Sequence, residues 1–278
     1  YKVLSDAPIC HGVPMEGYEA ALEQNLLDAY QLLDRIAPGS GLTQLFRCQY
    51  DGHNLKTAIK ARRATGDVSG VYSGLGNLPA KEITAQLESG RLTGIPTPLA
   101  QAALEASEAL AKTGDPQAVD ILLDRGILAS MAQQAEKIPS PFLQKYVAAQ
   151  IDIANIRAAV RLGRMGKNAF FLGKVLAPGG RISLSAITEA YTKGTDAILA
   201  VISSSPYEKA LEPAFDSIRQ KASLSLFEKL CDNALVEVLD EVRRIPFGIE
   251  PLIAYLAAKE GETKAARIVM ASKLAGVP

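Results

Sequence analysis

The sequence has no tryptophan, two histidines and three cysteines. The histidines, His11 and His53, both fall within the first 53 residues, so hydrolytic mechanisms built on a positioned imidazole have little support. No HExxH, GxSxG or paired-His motif is present. Cys10, Cys48 and Cys231 are odd in number and form no CxxC pair. That argues against a disulfide framework and leads us to expect a reducing compartment. The Cys10-His11 and Cys48-to-His53 spacings match no common zinc pattern, and small buried thiols are the expectation.

An excess of either charge is lacking as well. Lys plus Arg and Asp plus Glu are both 30, which gives no long-range pull toward nucleic acid or an anionic membrane. No uncharged apolar run approaches the ~18–20 residues that span a bilayer. The longest charge-free stretches, such as Leu92 to Leu104, contain Gly, Pro and Thr. "GLG" at Gly74 and "PGG" at Pro178 have neither the βαβ context nor the Lys-Ser/Thr of a phosphate loop. "SSSP" at Ser203 reads as a loop leading into a helix. No catalytic residue, metal site or cofactor is expected.

What the sequence does have is helical periodicity. Apolar residues make up 48%, aromatics 6%, and the apolar content is mainly Ala, Leu, Ile and Val, which suits helix-on-helix packing. "YEAALEQNLLDAYQLLDRI" places Leu22, Leu26, Tyr30 and Leu33 on one stripe. "PLAQAALEASEALAKTGD" predicts an Ala-rich helix opened by Pro98 and closed near Gly114. The next helix has Asp115 as N-cap and Pro116 at its first position. "PSPFLQKYVAAQIDIANIRAAVRLGRMG" predicts one long helix from about Pro141 to Gly163–Gly166. "SLSAITEAYTKG", "SPYEKALEPAFDSIRQKA", "SLSLFEKLCDNALVEVLDEVRRI", "GIEPLIAYLAAKE" and "GETKAARIVMASKLAG" continue the series. The expected fold class is all-α.

The chain also repeats itself. "DGHNLKTAIKARRATG" at Asp51 returns as "DIANIRAAVRLGRMG" at Asp152, 101 residues on. Asp51 matches Asp152, Asn54 matches Asn155, and Lys56, Lys60 and Arg63 match Arg157, Arg161 and Arg164. "GNLPAKEITAQL" from Gly76 resembles "GRISLSAITEAY" from Gly180, so the intervening loop has gained three residues. A weaker third copy, "ETKAARIVMASKLAG", puts Glu262 at the Asp position, Ala265 at the Asn position and Arg267 at the first cation. The copies end near Gly66, Gly166 and Gly276. Three helical units follow: 1–67, 68–167 and 168–278, the first of them short. From this we expect roughly 35–45 further N-terminal residues in the natural product. The period is too long for a common solenoid repeat, and three packed units around a pseudo-threefold axis are the better expectation.

His53 becomes Ala154 and Lys264 in the other copies, so the motif does not require it. Asp-x-x-Asn recurs on one helical face, with Leu55 and Ala58, or Ile156 and Ala159, beside it. The Asp and Asn are therefore expected to point into a contact and satisfy backbone groups of a neighbouring helix end or loop. The cations fall on another face at i, i+4 and i+7, and they form either a solvated stripe or a basic patch for an acidic partner.

"RRIPFGIEPLIAYLAAKEGETKAARIVMASKLAGVP", from Arg243 to the end, resembles the C-terminal signature of the C subunit of archaeal and bacterial V-type (A-type) ATP synthases. That family includes the d subunit of the eukaryotic vacuolar ATPase. "QYDGHNLKTAIKAR" and "QIDIANIRAAVR" resemble its two internal copies, and "PGGRIS" its loop after the second. The resemblance covers nearly the whole chain from about Leu26. Ala265 departs from the Asn common in the third copy. The resemblance implies a non-enzymatic, funnel-shaped rotor part made of three similar helical domains. It implies a place on the cytoplasmic face of the membrane, peripheral to it, where the part seats on the proteolipid ring and receives the central-shaft D and F subunits. Coupling would then serve H⁺ or Na⁺ transport. In that setting the basic stripe (Lys56, Lys60, Arg63, Arg157, Arg161, Arg164, Arg267) is the expected partner contact. The competing readings are a helical scaffold of another complex, and an all-α enzyme, which would need an acidic metal cluster or a Glu-x-x-His pair.

Overall fold

The computed structural model describes residues 17–63 and 68–276. Every regular element among them is a helix. In chain order the α-helices are α1 (Tyr18–Ile36), α2 (Leu42–Ala61), α3 (Ala80–Ser89), α4 (Thr97–Thr113), α5 (Pro116–Lys137), α6 (Pro141–Arg164) and α7 (Ala169–Val175). They continue as α8 (Leu184–Lys193), α9 (Thr195–Ser203), α10 (Glu208–Leu211), α11 (Phe215–Arg219), α12 (Ser225–Asp240) and α13 (Glu250–Leu274). No helix among the described residues is long and apolar enough to cross a membrane.

Local chemistry sets the helix ends. Asp115 accepts a bond from the Gln117 amide at 2.8 Å, with Pro116 at the first helical position of α5. Ser140 caps α6 in the same way through the Leu143 amide at 3.2 Å. Such caps satisfy donors that a helix start leaves unpaired. The stretch from Ser205 to Ala222, expected as one helix, is instead broken into α10, a 3-10 turn at Glu212–Ala214 and α11. Pro213 sits in the break, where a continuous helix would lack its N–H. The opposite happens at Gly261: two expected helices are one, α13, which runs straight through the glycine. Periodicity does not separate helix α9 from its surroundings, because the six residues at its centre, Ala197 to Ile202, are all apolar.

One hydrophobic core extends from Leu26 in α1 to Ala257 in α13. Helix α2 packs on α4 and α5, α5 on α6, and α6 on α8, α9 and α12. The repeat is thus cross-linked in space, since each motif helix lies against helices that follow it in sequence. Helix α13, the last described helix, packs on α1, the first described one. Tyr18, Leu22, Ala266 and Met270 form a small separate core between the two.

Glu260 fastens this seam. Its carboxylate accepts hydrogen bonds from Tyr30 of α1 and from Tyr50 of α2, the latter at 2.6 Å. The Arg47 guanidinium covers the Tyr30 ring at 4.3 Å from its centroid. Burial pushes the Glu260 carboxyl above its ordinary value of 4.5, against the opposing pull of the Tyr30 and Tyr50 hydroxyls and Arg267. Burial likewise pushes both phenols upward. Between 4.5 and its raised value, the folded Glu260 holds a proton that the unfolded chain has released, so stability falls as pH climbs through that window. The melting temperature of the wild type should therefore gain on that of a Glu260→Gln variant as pH falls from neutral toward 4.5. A constant gap across that range would show that Glu260 ionises as it does in water.

Candidate functional site

The repeated Asp and Asn are buried in both complete copies: Asp51, Asn54 and Asp152 at 0% exposure and Asn155 at 1%. In the first copy, Asp51 Oδ1 accepts from the Asn77 and Leu78 amides at 2.8 and 3.2 Å. Its Oδ2 accepts from the Asn77 side chain at 2.7 Å. Asn54 grips the Ser73 backbone from both sides, donating to its carbonyl and accepting from its amide, each at 2.9 Å. Burial pushes the Asp51 carboxyl above the ordinary aspartate range, opposed by the bonds from Asn77 and Leu78.

The second copy repeats this arrangement. Asp152 accepts from the Arg181 and Ile182 amides at 3.1 and 3.0 Å. Asn155 grips the Ala177 backbone at 2.9 and 2.8 Å. Asn77 and Arg181, like Ser73 and Ala177, are related by 104 residues, whereas Asp51 and Asp152 are related by 101. The three inserted residues therefore lie between Asn155 and Ala177, in the stretch that holds α7. The Tyr207 hydroxyl adds a third bond to Asp152 at 3.0 Å. Each clasp also needs a glycine. A Cβ on Gly76 would stand 2.7 Å from Asp51 Oδ1, and one on Gly180 would collide with Asp152 Oδ1. The third copy forms no clasp among the described residues. Glu262 is exposed and pairs with Lys259 of its own helix at 2.8 Å.

The cations are engaged within the chain. Lys56 meets Asp124 at 2.5 Å and Lys60 meets Asp120 at 2.6 Å. Arg157 meets Asp232 at 2.6 Å, and Arg161 meets Glu228 at 2.5 Å. Arg267 meets Glu19 at 2.9 Å. In the two complete copies, numbers rising on the motif helix pair with numbers falling on its partner. Each pair is thus an antiparallel zipper: α2 with α5, and α6 with α12. Contacts of α13 with α1 at Arg267–Glu19 and at Glu260–Tyr30 run in the same antiparallel sense. The third cation reaches a carbonyl a few residues ahead of the partner helix. Arg63 lies 3.5 Å from the Ala111 carbonyl, and Arg164 donates to that of Ala222.

Sequence reasoning passed over the acidic halves of these zippers and Glu260. A signal was there: Asp120/Asp124 and Glu228/Asp232 carry the same four-residue spacing as the cations they meet. His53 is exposed, with Nε2 2.8 Å from the Val71 carbonyl. Cys48 is fully buried, and burial pushes its thiol up to about 12. The thiol of Cys231 is likewise pushed up to about 11. Cys10 and His11 lie outside the described residues.

Replacing Asp152 by alanine strands two backbone N–H groups and the Tyr207 hydroxyl, and should destabilise by about 3 kcal/mol in denaturant melts. Gly180→Ala should fall in the same direction. His53→Ala should stay within about 0.5 kcal/mol of wild type. Equal effects of the Asp152 and His53 changes would overturn the assignment of the clasp as the shared work of the motif within this chain.

Comparison with known proteins bears on the whole chain. The model of the ATP synthase (C/AC39) subunit family matches residues 1–278. The C subunit of the V-type sodium ATPase of Enterococcus hirae is 23% identical, the alignment covering 92% of this chain and 77% of that protein. The C subunit of the A-type ATP synthase of Halorubrum lacusprofundi is 26% identical, with 93% and 78% covered. That of Methanocaldococcus jannaschii is 24% identical, with 92% and 68% covered. With a match over its full length, the chain belongs to the ATP synthase (C/AC39) subunit family.

Proposed function

We propose that the protein is the non-catalytic central-stalk socket of a rotary V/A-type ATPase or ATP synthase. In this reading it lies on the cytoplasmic face of the membrane, peripheral to it, and seats on the proteolipid ring. It receives the shaft formed by the D and F subunits, and it turns with shaft and ring as one body to couple ATP chemistry to H⁺ or Na⁺ movement. The reading is supported by the names of the relatives, and one structural observation carries it. Each of the three motif helices is held against an antiparallel partner: α2 on α5, α6 on α12, α13 on α1. We take these three walls as the plan of a funnel around a pseudo-threefold axis. Stiffness suits a part that transmits torque, and close-packed helices tied by buried hydrogen bonds supply it.

The basic stripe is the part of each wall that we assign to the shaft. Lys60, Arg161 and Arg267 keep 36%, 57% and 45% of their side-chain surface exposed while paired, so a second acidic group can approach them. Purified protein mixed with D–F shaft and with proteolipid ring should bind both and hydrolyse no ATP alone. Binding to neither would overturn the reading. Exchanging charges across one zipper, Lys60→Glu with Asp120→Lys, should restore the melting temperature lost in Lys60→Glu yet leave shaft binding weakened roughly 10-fold. A swap that binds the shaft as wild type does would confine the stripe to the interior of the chain.

A further inference from the structure

The cations of the stripe are engaged inside the chain, but a second recurring set is not. Each motif helix is entered through a turn that begins with a cation and an isoleucine: Arg35-Ile36 before α2, Lys137-Ile138 before α6 and Arg244-Ile245 before α13. The partner helices α1 and α5 end at the first two turns, and α12 reaches the third through a 3-10 turn at Glu241–Arg244. The three turns touch. A Cβ on Gly41 would stand 3.5 Å from Ile138 Cδ1, and the Ser140 hydroxyl donates to Glu250 at 3.0 Å. One end of the molecule is therefore built from all three copies of the repeat. Gly17, Arg63 and Gly276, at the far ends of α1, α2 and α13, lie roughly 30 Å from it.

This end carries both apolar tips and cations. Ile36 and Ile245 are 56% and 39% exposed, and Phe247 is 84% exposed. A side chain so open stands clear of its neighbours, in a turn shaped by Pro246 and by Gly248 at φ 98°. The acids beside the turns are mostly engaged. Asp34 takes the Thr43 hydroxyl at 2.5 Å and Arg47 at 3.8 Å. Asp240 takes Arg243 at 3.0 Å, and Glu241 takes Lys145. Arg35, Lys137 and Arg244 are exposed and form no ion pair among the described residues, and Glu136 is the exposed acid left beside them. Three unpaired cations thus stand against one unpaired carboxylate.

A protein segment is received by a groove or a pocket. Protruding apolar side chains next to cations suit a different surface, the headgroup layer of a bilayer, where the tips reach the acyl boundary and the cations meet phosphates. We propose that the three-turn end rests directly on a lipid bilayer that carries anionic phospholipid, with Ile36, Ile245 and Phe247 in the headgroup layer and Arg35, Lys137 and Arg244 on phosphate oxygens. The balanced net charge supplies no distant pull, so the attraction acts within a Debye length, ~8 Å at physiological salt. The proposal rests on the reading that the protein lies at a membrane, and it names the end that faces the lipid.

The test sediments the full chain with vesicles of phosphatidylcholine, either alone or with about one-third phosphatidylglycerol. The protein should bind the anionic vesicles at least roughly 10-fold more tightly than the neutral ones, and high salt should release it. Phe247→Ser, and separately Arg35→Gln with Lys137→Gln and Arg244→Gln, should each lower that affinity roughly 10-fold with the melting temperature unchanged. Wild-type lipid affinity in either variant overturns the proposal, as does equal binding to both vesicles or binding to neither. Absence of lipid binding, together with loss of ring or shaft binding in the triple variant, would assign this end to an acidic protein surface instead. Binding of the wild type to shaft and ring in detergent decides the socket reading by itself, so the two readings fail separately.

Discussion

A carboxylate shut away from water must be given hydrogen bonds, and at Asp51 and Asp152 they come from the backbone of a returning chain. This one requirement shapes much of the structure. The chain has to turn back along its own helix, it has to bring two consecutive amides to the carboxylate, and it has to place a glycine where any side chain would collide. The companion Asn then pins the loop from both sides of one residue. With the loop fixed, the start of the next short helix is fixed as well, and its apolar residues fall onto the motif helix. Here a polar pair acts as the organiser of an otherwise apolar core.

The ion-pair zippers do a different job. Each pair is at least partly exposed, and such pairs contribute only about 0–1 kcal/mol. Their value lies in register. Two cations four residues apart meet two acids four residues apart in the antiparallel alignment seen, and a one-turn slip parts each cation from its present acid. The buried apolar residues supply the adhesion, and the charged edge selects which of several near-equivalent sliding positions is occupied.

Much of this plan was legible in the sequence. Helical periodicity gave the class, caps and prolines gave the starts of α4, α5 and α6, and the match of Asp51 to Asp152 separated the repeated Asp and Asn from the incidental His53. Three kinds of information were hidden. The run through Gly261 depended on tertiary contacts on either side of it, which outweigh the weak helix preference of one glycine. The acidic partners of the cations in the two complete copies lie about 60 to 75 residues away in sequence, and pairing at that distance is a property of packing. Glu260 looked like one more charge on a solvated helix, because the two tyrosines that enclose it come from the far end of the chain.

That last contact has a mechanical consequence. Helices α1 and α13 are joined side by side along their length, by Glu19 to Arg267 near one end and by Tyr30 to Glu260 further along. A load directed along the helix axes shears all of these contacts together, so they share it. A load directed across the seam peels them apart one after another, and each must bear it alone. The seam is thus anisotropic, resistant to stretching along the helices and yielding to forces that open it sideways.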